Sequence, residues 1–274
     1  MCFSTTISFG GRNLIARYIS LITFLPLITF LSISSGSAYG GIIFATGFEP
    51  PTYAPGNIVG QDGWAEFNAT DSFDAVQTTL VKSGSQAAWV IPVKSSIVQT
   101  GMYHSDSTTG PLINLSADIF LASSSAQNEW QFAGLGAGLT PFLGGIDVFA
   151  DNSIHLITSG FTPVGTFSRD VWNHVDFIFN MTTQKYSFSL NGASIATGVA
   201  FCGDNGPCTG GATINTYGSS IFDVFATLNS NDLGAIDNFN LSVNTAPEPR
   251  SILLFASGLA LMAARYRRLA LRKK

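Results

Sequence analysis

Carboxylates, imidazoles and thiols are the groups of this 274-residue chain that could carry chemistry, and their spacing narrows what that chemistry is. Glu49, Glu66 and Glu129 are the only glutamates before Glu248, and none has an acidic neighbour at strand spacing. A glycosidic bond is cut between two carboxyl groups at a fixed separation, so a paired-carboxylate hydrolase is not expected. His104, His155 and His174 are scattered, with no His-Glu-x-x-His and no nucleophile elbow, and are expected on strand surfaces. Glu49 ends one apolar run and Asp237 interrupts another, Ile236-Asp237-Asn238-Phe239. Their oxygens suit a hard cation, so a structural Ca²⁺ is the metal expected if one binds. Cys202 and Cys208 bracket Gly203-Asp204-Asn205-Gly206-Pro207, a turn-forming loop that a disulfide would pin. The alternative is a redox or zinc pair, for which neither Cys-x-x-Cys spacing nor a nearby histidine is present. Trp64, after the turn Gly60-Gln61-Asp62-Gly63, is expected to stand exposed as a stacking platform for a sugar ring, whereas Trp172 is expected to pack at a strand start.

These groups must be positioned by strands. Between Gly41 and Val243, short β-branched and aromatic runs of period two alternate with Gly, Asn, Asp and Ser clusters. Strands are expected near Ile42–Phe48, Ala88–Val93, Ser96–Tyr103, Leu112–Leu121, Trp130–Leu135, Gly145–Phe149, Ile154–Thr158, Trp172–Asn180, Lys185–Leu190, Ser194–Ala200, Phe222–Leu228 and Ala235–Val243. Asp151-Asn152-Ser153 and Asn191-Gly192 fall between runs; Asn-Gly supplies the positive φ values of a type I′ hairpin. Ser123 to Ser125 and Gly134 to Gly145 are expected as flexible loops. No window carries an amphipathic helix, so the fold expected is all-β, an antiparallel sandwich of jelly-roll type.

The two ends differ from this body. Arg12 and Arg17 precede an apolar run from Tyr18 to Ile33 and the small residues Ser34 to Ala38, the layout of a secretory signal peptide cleaved near Ala38. An uncleaved anchor is the rival reading, though the run is short for one and contains Pro26. At the other end, Pro247-Glu248-Pro249 is followed by Ser251 to Ala264, with no ionisable residue, and then by Arg265 to Lys274, in which six of ten residues are basic. As a helix the apolar run is roughly 21 Å long, a marginal span for a hydrocarbon core of roughly 30 Å. Its basic end stays in the cytoplasm by the positive-inside rule, which puts everything before Pro247 across the membrane. Of the 13 basic residues only Lys82, Lys94, Arg169 and Lys185 lie between Ala38 and Arg250, against all 17 acids, so that part carries a formal charge near −13. Such a surface repels nucleic acid. The expected organisation is therefore a signal peptide (1–38), a β-sandwich (39–245) and a C-terminal sorting segment (246–274).

The triplet, apolar run and basic tail, in register at the terminus, resemble the PEP-CTERM sorting signal of exopolysaccharide-producing Gram-negative bacteria. That resemblance implies processing near Pro247, Glu248 and Pro249 by a membrane-embedded exosortase, transient passage through the inner membrane, and delivery to the cell surface or medium.

The segment Trp172 to Asn180, the turn Met181-Thr182-Thr183-Gln184, and Lys185 to Gly192 are similar to a hairpin of concanavalin A-like and laminin-G-like sandwich domains. Asn173, Val175, Phe177 and Phe179 form its expected core face. Jelly-roll domains of similar build clamp their first and last strands with Ca²⁺ through an early Glu and a late Asp, here Glu49 and Asp237. Together these readings imply a structural or adhesive, non-enzymatic protein of the cell surface or extracellular matrix. The alternatives are a lectin-like module for extracellular polysaccharide, or a glycan hydrolase with an unrecognised site.

Overall fold

Period-two alternation is translated directly into buried and solvent-facing sides. Along Trp172–Asn180 the residues Asn173, Val175, Phe177 and Phe179 are buried, while His174 and Ile178 are exposed. In the computed structural model of the chain, residues 40–67, 72–93, 98–123, 128–157, 162–203, 208, 213–226, 232–244 and 262 are described. They form two antiparallel sheets packed face to face as a β-sandwich within the compact unit Gly40–Glu248. The expected signal peptide, the Pro247-Glu248-Pro249 triplet and the apolar run 251–264, apart from Met262, lie outside the described residues. Among the described residues no helix is long and apolar enough to cross a membrane.

The larger sheet runs β14 (Ala193–Ala200), β13 (Lys185–Leu190), β12 (Trp172–Asn180), β7 (Leu112–Leu121), β16 (Gly234–Asn244), β5 (Ala87–Pro92), β4 (Ser72–Gln77), β2 (Gly56–Asn57), and β1 (Gly41–Thr46) also pairs with β16. The smaller sheet runs β11 (Pro163–Thr166), β10 (Ser153–Leu156), β9 (Phe142–Val148), β8 (Glu129–Gly136), β15 (Tyr217–Ala226), β6 (Val98–Thr108), β3 (Trp64–Phe67). First and last strands are neighbours, as expected. Between the sheets lies a core rich in aromatic rings, including Trp130 stacked on Phe222 and Phe177 stacked on Phe188. The Asn191-Gly192 turn has φ of 51° and 79°, the left-handed pair that a type I′ hairpin requires.

Several expectations are corrected. Strands β2, β3, β4 and β11 fall in stretches without a clear period-two run. Gly134 to Gly145 is not a flexible loop: it holds the end of β8, a 3₁₀ turn at Ala137–Leu139 and the start of β9. A Cβ on Gly134 would lie 2.8 Å from Phe179 Cζ, so glycine is there to admit a ring from the facing sheet. Trp172 is half-buried on the outward side of the larger sheet against Phe120, not in the core. His104 is buried, stacked on Phe44 at 3.7 Å, with Nδ1 2.7 Å from Asp106 Oδ2 and Nε2 2.8 Å from the Asp62 carbonyl.

Candidate functional site

Trp64 is not a platform. Its side chain is 2% exposed, ringed by Phe44, Phe48, His104 and Phe239, and its Nε1 donates to the Tyr53 hydroxyl. The physical reason is register: the turn before it makes Trp64 the first residue of β3, paired with His104, and both rings point into the core. Of the other tryptophans, Trp130 is buried, while Trp89 and Trp172 are half-buried on the outward side of the larger sheet.

Glu49 and Asp237 do meet, on the loop between β4 and β5. The Glu49 carboxylate accepts from Ser85 N at 2.8 Å, Gln86 N at 3.1 Å and the Ser85 hydroxyl at 2.5 Å. Asp237 accepts from Lys82 N and Ser83 N, each at 3.0 Å, and from Asn238 N at 2.7 Å. These hydrogen bonds hold Glu49 below the usual carboxylate range, whereas burial pushes Asp237 up. The loop thus presents N–H groups to both carboxylates, a polarity that suits an anion and opposes a cation. Among the described residues no three His, Cys, Asp or Glu side chains gather as metal ligands. The donor set fits a hydrogen-bonded clasp and does not fit Ca²⁺.

Cys202 and Cys208 are joined by a disulfide. The two cysteines pack with Leu135, Ile221 and Ile157 into a small apolar cluster on the outward face of the smaller sheet, separate from the main core.

That outward face carries the arrangement that sequence reasoning missed. Phe222, Val224, Trp130, Phe132, Ile146 and Ile154 point into the core, so Asp223, Gln131, Asp147 and His155, one position along on their strands, point away from it. The registers Gly101↔Asp223, Asp223↔Gln131, Gln131↔Asp147 and Asp147↔His155 set them in one line across β6, β15, β8, β9 and β10. With strands spaced as in any sheet the line is about 19 Å long. Gln99 Nε2 donates to Asp223 Oδ2 at 2.5 Å and to Gln131 Oε1 at 3.4 Å, and Gln131 Nε2 donates to Asp147 Oδ1 at 2.8 Å. Ser153 spends its hydroxyl proton on Asp151 Oδ1, so its oxygen accepts from His155 Nε2 at 2.9 Å. Nδ1 of His155 is then the free acceptor, and it has no partner. Asp223 Oδ1 also lacks one, in a side chain only 1% exposed.

Burial pushes Asp147 up to about 7, the Gln131 hydrogen bond opposing and the Glu129 charge adding. Burial likewise holds Asp223 well above the ordinary range, and raises Glu129 against the pull of His155. Half-buried rings of Phe67, Phe149 and Phe225 flank this polar floor, Phe149 lying 4.3 Å from the His155 ring. At the disulfide end a cleft of ≈ 240 Å³ is lined by Phe67, Gln99, Leu135, Leu139, Thr140, Phe142 and Ile221. Gln131, Asp147 and Asp223 are themselves buried, so what a ligand meets on this face is the cleft with Gln99 on its wall and the half-buried rings, groups that suit a polyhydroxylated chain.

No protein-family model matches this sequence, and no curated protein matches it. Solved structures share the fold. Cellulose-induced protein Cip1 is 12% identical over 70% of this chain and 98% of its own, with a TM-score of 0.51. A carbohydrate esterase from the Shiga toxin-encoding bacteriophage phi24B is 12% identical over 76% of this chain and 100% of its own, with a TM-score of 0.51. A sialidase is 9% identical over 69% of this chain, TM-score 0.51, but the chain spans only 18% of that protein. At these identities the likeness is one of jelly-roll β-sandwich fold.

Proposed function

We propose that this protein binds polysaccharide along the outward face of its smaller sheet, without cleaving it, as an exported component of the cell surface or extracellular matrix. The observation that carries the reading is the cleft of ≈ 240 Å³ with Gln99 and Phe67 on its wall, on the same face as the half-buried rings of Phe149 and Phe225 and the polar row Asp223, Gln131 and Asp147. Two of the similarly folded proteins are by name a carbohydrate esterase and a sialidase, which is the company a glycan-binding sandwich keeps. The signal peptide and the PEP-CTERM-like tail supply the address, with exosortase as the processing partner.

Capture of the full-length protein on a panel of insoluble polysaccharides tests this. Retention on at least one polymer is expected, weakened tenfold or more by Gln131→Ala and by Phe225→Ala with an unchanged circular dichroism spectrum. Loss of retention in Trp89→Ala and Trp172→Ala but not in those variants would move the site to the larger sheet. Release of reducing ends, abolished by Asp147→Asn, would make the protein a hydrolase. Retention on no polymer removes the reading.

A further inference from the structure

We infer that the cleft on the smaller sheet takes a short acyl group, such as acetyl, carried as an ester on an uncharged polysaccharide, an inference that rests on the binding role proposed above and names its ligand. The cleft runs along β15. Gln99 at one end pairs with Phe225, and Ile221 at the other lies four residues away on the same strand, so the ends are roughly 13 Å apart at about 3.3 Å per residue. The Gln99 end is polar. Its Nε2 donates to Asp223 Oδ2 at 2.5 Å and to Gln131 Oε1 at 3.4 Å, and the half-buried Phe67 ring shares the wall. The other end is apolar. Leu135, Leu139, Phe142 and Ile221 line it and pack with the Cys202–Cys208 disulfide in one cluster.

Size and polarity select the ligand. At ≈ 240 Å³ the cleft holds roughly eight waters at about 30 Å³ each, below the roughly 300 Å³ at which pockets begin to enclose a whole small molecule. It therefore receives one side group of a larger molecule lying over the face. None of the residues that line it is charged, so the group is neutral. Thr140, exposed, supplies a hydroxyl next to the apolar end. An ester matches both: its acyl carbons displace water from the apolar wall, and its carbonyl accepts from a hydroxyl. A bare sugar hydroxyl set against that wall would lose its hydrogen bonds. Leu139 adds an independent observation. Its φ of 62° lies in the left-handed region that a bulky side chain rarely adopts, and it is held in a turn where Gly136 N donates to the Pro141 carbonyl at 2.7 Å. Strain kept under a side chain that walls a cleft points to use of that side chain.

Affinity electrophoresis of the full-length protein tests this with galactomannan, xyloglucan and mixed-linkage glucan, each unmodified, lightly O-acetylated, or O-methylated to the same degree. At least one acetylated polymer is expected to bind fivefold or more tightly than its unmodified and methylated forms. Leu139→Asn suits the left-handed φ, so it is expected to bring that ratio below twofold with an unchanged or raised melting temperature. Phe142→Ala is expected to lower the ratio likewise, and Thr140→Val to erase the preference over the methyl ether. Ile178→Ser, on the exposed side of the larger sheet, leaves every ratio unchanged. Unmodified or methylated polymer held as tightly as the acetylated form overturns the acyl site and leaves the binding role standing. A preference that survives both Leu139→Asn and Phe142→Ala overturns its placement in this cleft. Retention by no polymer in any form removes the binding role and this inference with it.

Discussion

Asp74 is a carboxyl group with 0% exposure, on the side of β4 that also carries Ser72, whose hydroxyl accepts from Thr100 of the opposite sheet. Burial pushes its pKa up to about 7, the Ser72 hydroxyl opposing. The folded protein therefore binds a proton that the unfolded chain has already released from a carboxyl of ordinary pKa 3.8. Stability from this group is present at low pH and is lost as pH rises from about 4 to about 7. Asp74→Asn keeps the shape and removes the charge, so it is expected to stabilise by on the order of 2–4 kcal/mol at pH 8 and by little at pH 4. Urea unfolding at both pH values reads this, and an equal effect at both would refute it. At this scale the sequence was least legible. Asp74, Gln131, Asp147, Asp223 and His155 are each single polar residues between apolar neighbours, which marks a strand but not what sits across from it. Trp64 and His104 went the other way, because their burial comes from a pairing between residues forty apart.

The loop between β4 and β5 shows how two distant carboxylates fix an element. Glu49 and Asp237 take its N–H groups from either side, so the loop is tied to the segment that follows β1 and to β16. Asp237 is completely buried, and Asp237→Ala leaves three donors without their acceptor. A loss of about 2–4 kcal/mol is expected, read as a lowered melting temperature. Addition of EDTA to the wild-type protein is expected to change nothing; a drop of several degrees that Ca²⁺ restores would show that a cation belongs between these carboxylates. The sequence placed Glu49 at the end of the first strand and Asp237 within the last, and foresaw that these strands meet. The sign of the loop dipoles is set by a backbone conformation that no residue type dictates. Strands of strong alternation, such as β12 and β13, were legible to within a residue. Short β2 and β11 were not, since two to four residues carry too little period to detect. The glycine-rich turn into β9 was misread because glycine usually signals freedom, whereas here it admits Tyr186 and Phe179 from the opposite sheet.

The sandwich Gly40–Glu248 is compact by itself, with a continuous core and both sheets closed around it. The sequence adds two apolar runs, Tyr18 to Ile33 and Ser251 to Ala264, at either end of this acidic domain, and burying such runs away from water is favourable. On the proposed export and processing, the body left would carry a formal charge near −13 and be repelled by anionic lipid and nucleic acid. On the proposed sorting role, the C-terminal run, which as a helix would be roughly 21 Å against roughly 30 Å of hydrocarbon, would halt a chain in transit without holding it permanently. Cell fractionation with mass spectrometry of both termini is expected to find a mature chain that begins close to residue 39 and ends near Pro247, Glu248 or Pro249. Deleting Arg265 to Lys274 removes the charges that on the proposed topology would keep this end in the cytoplasm, and is expected to yield exported protein with its tail uncut. Intact chains dissolved in the cytosol, carrying both Met1 and Lys274, would overturn the proposed place at the cell surface.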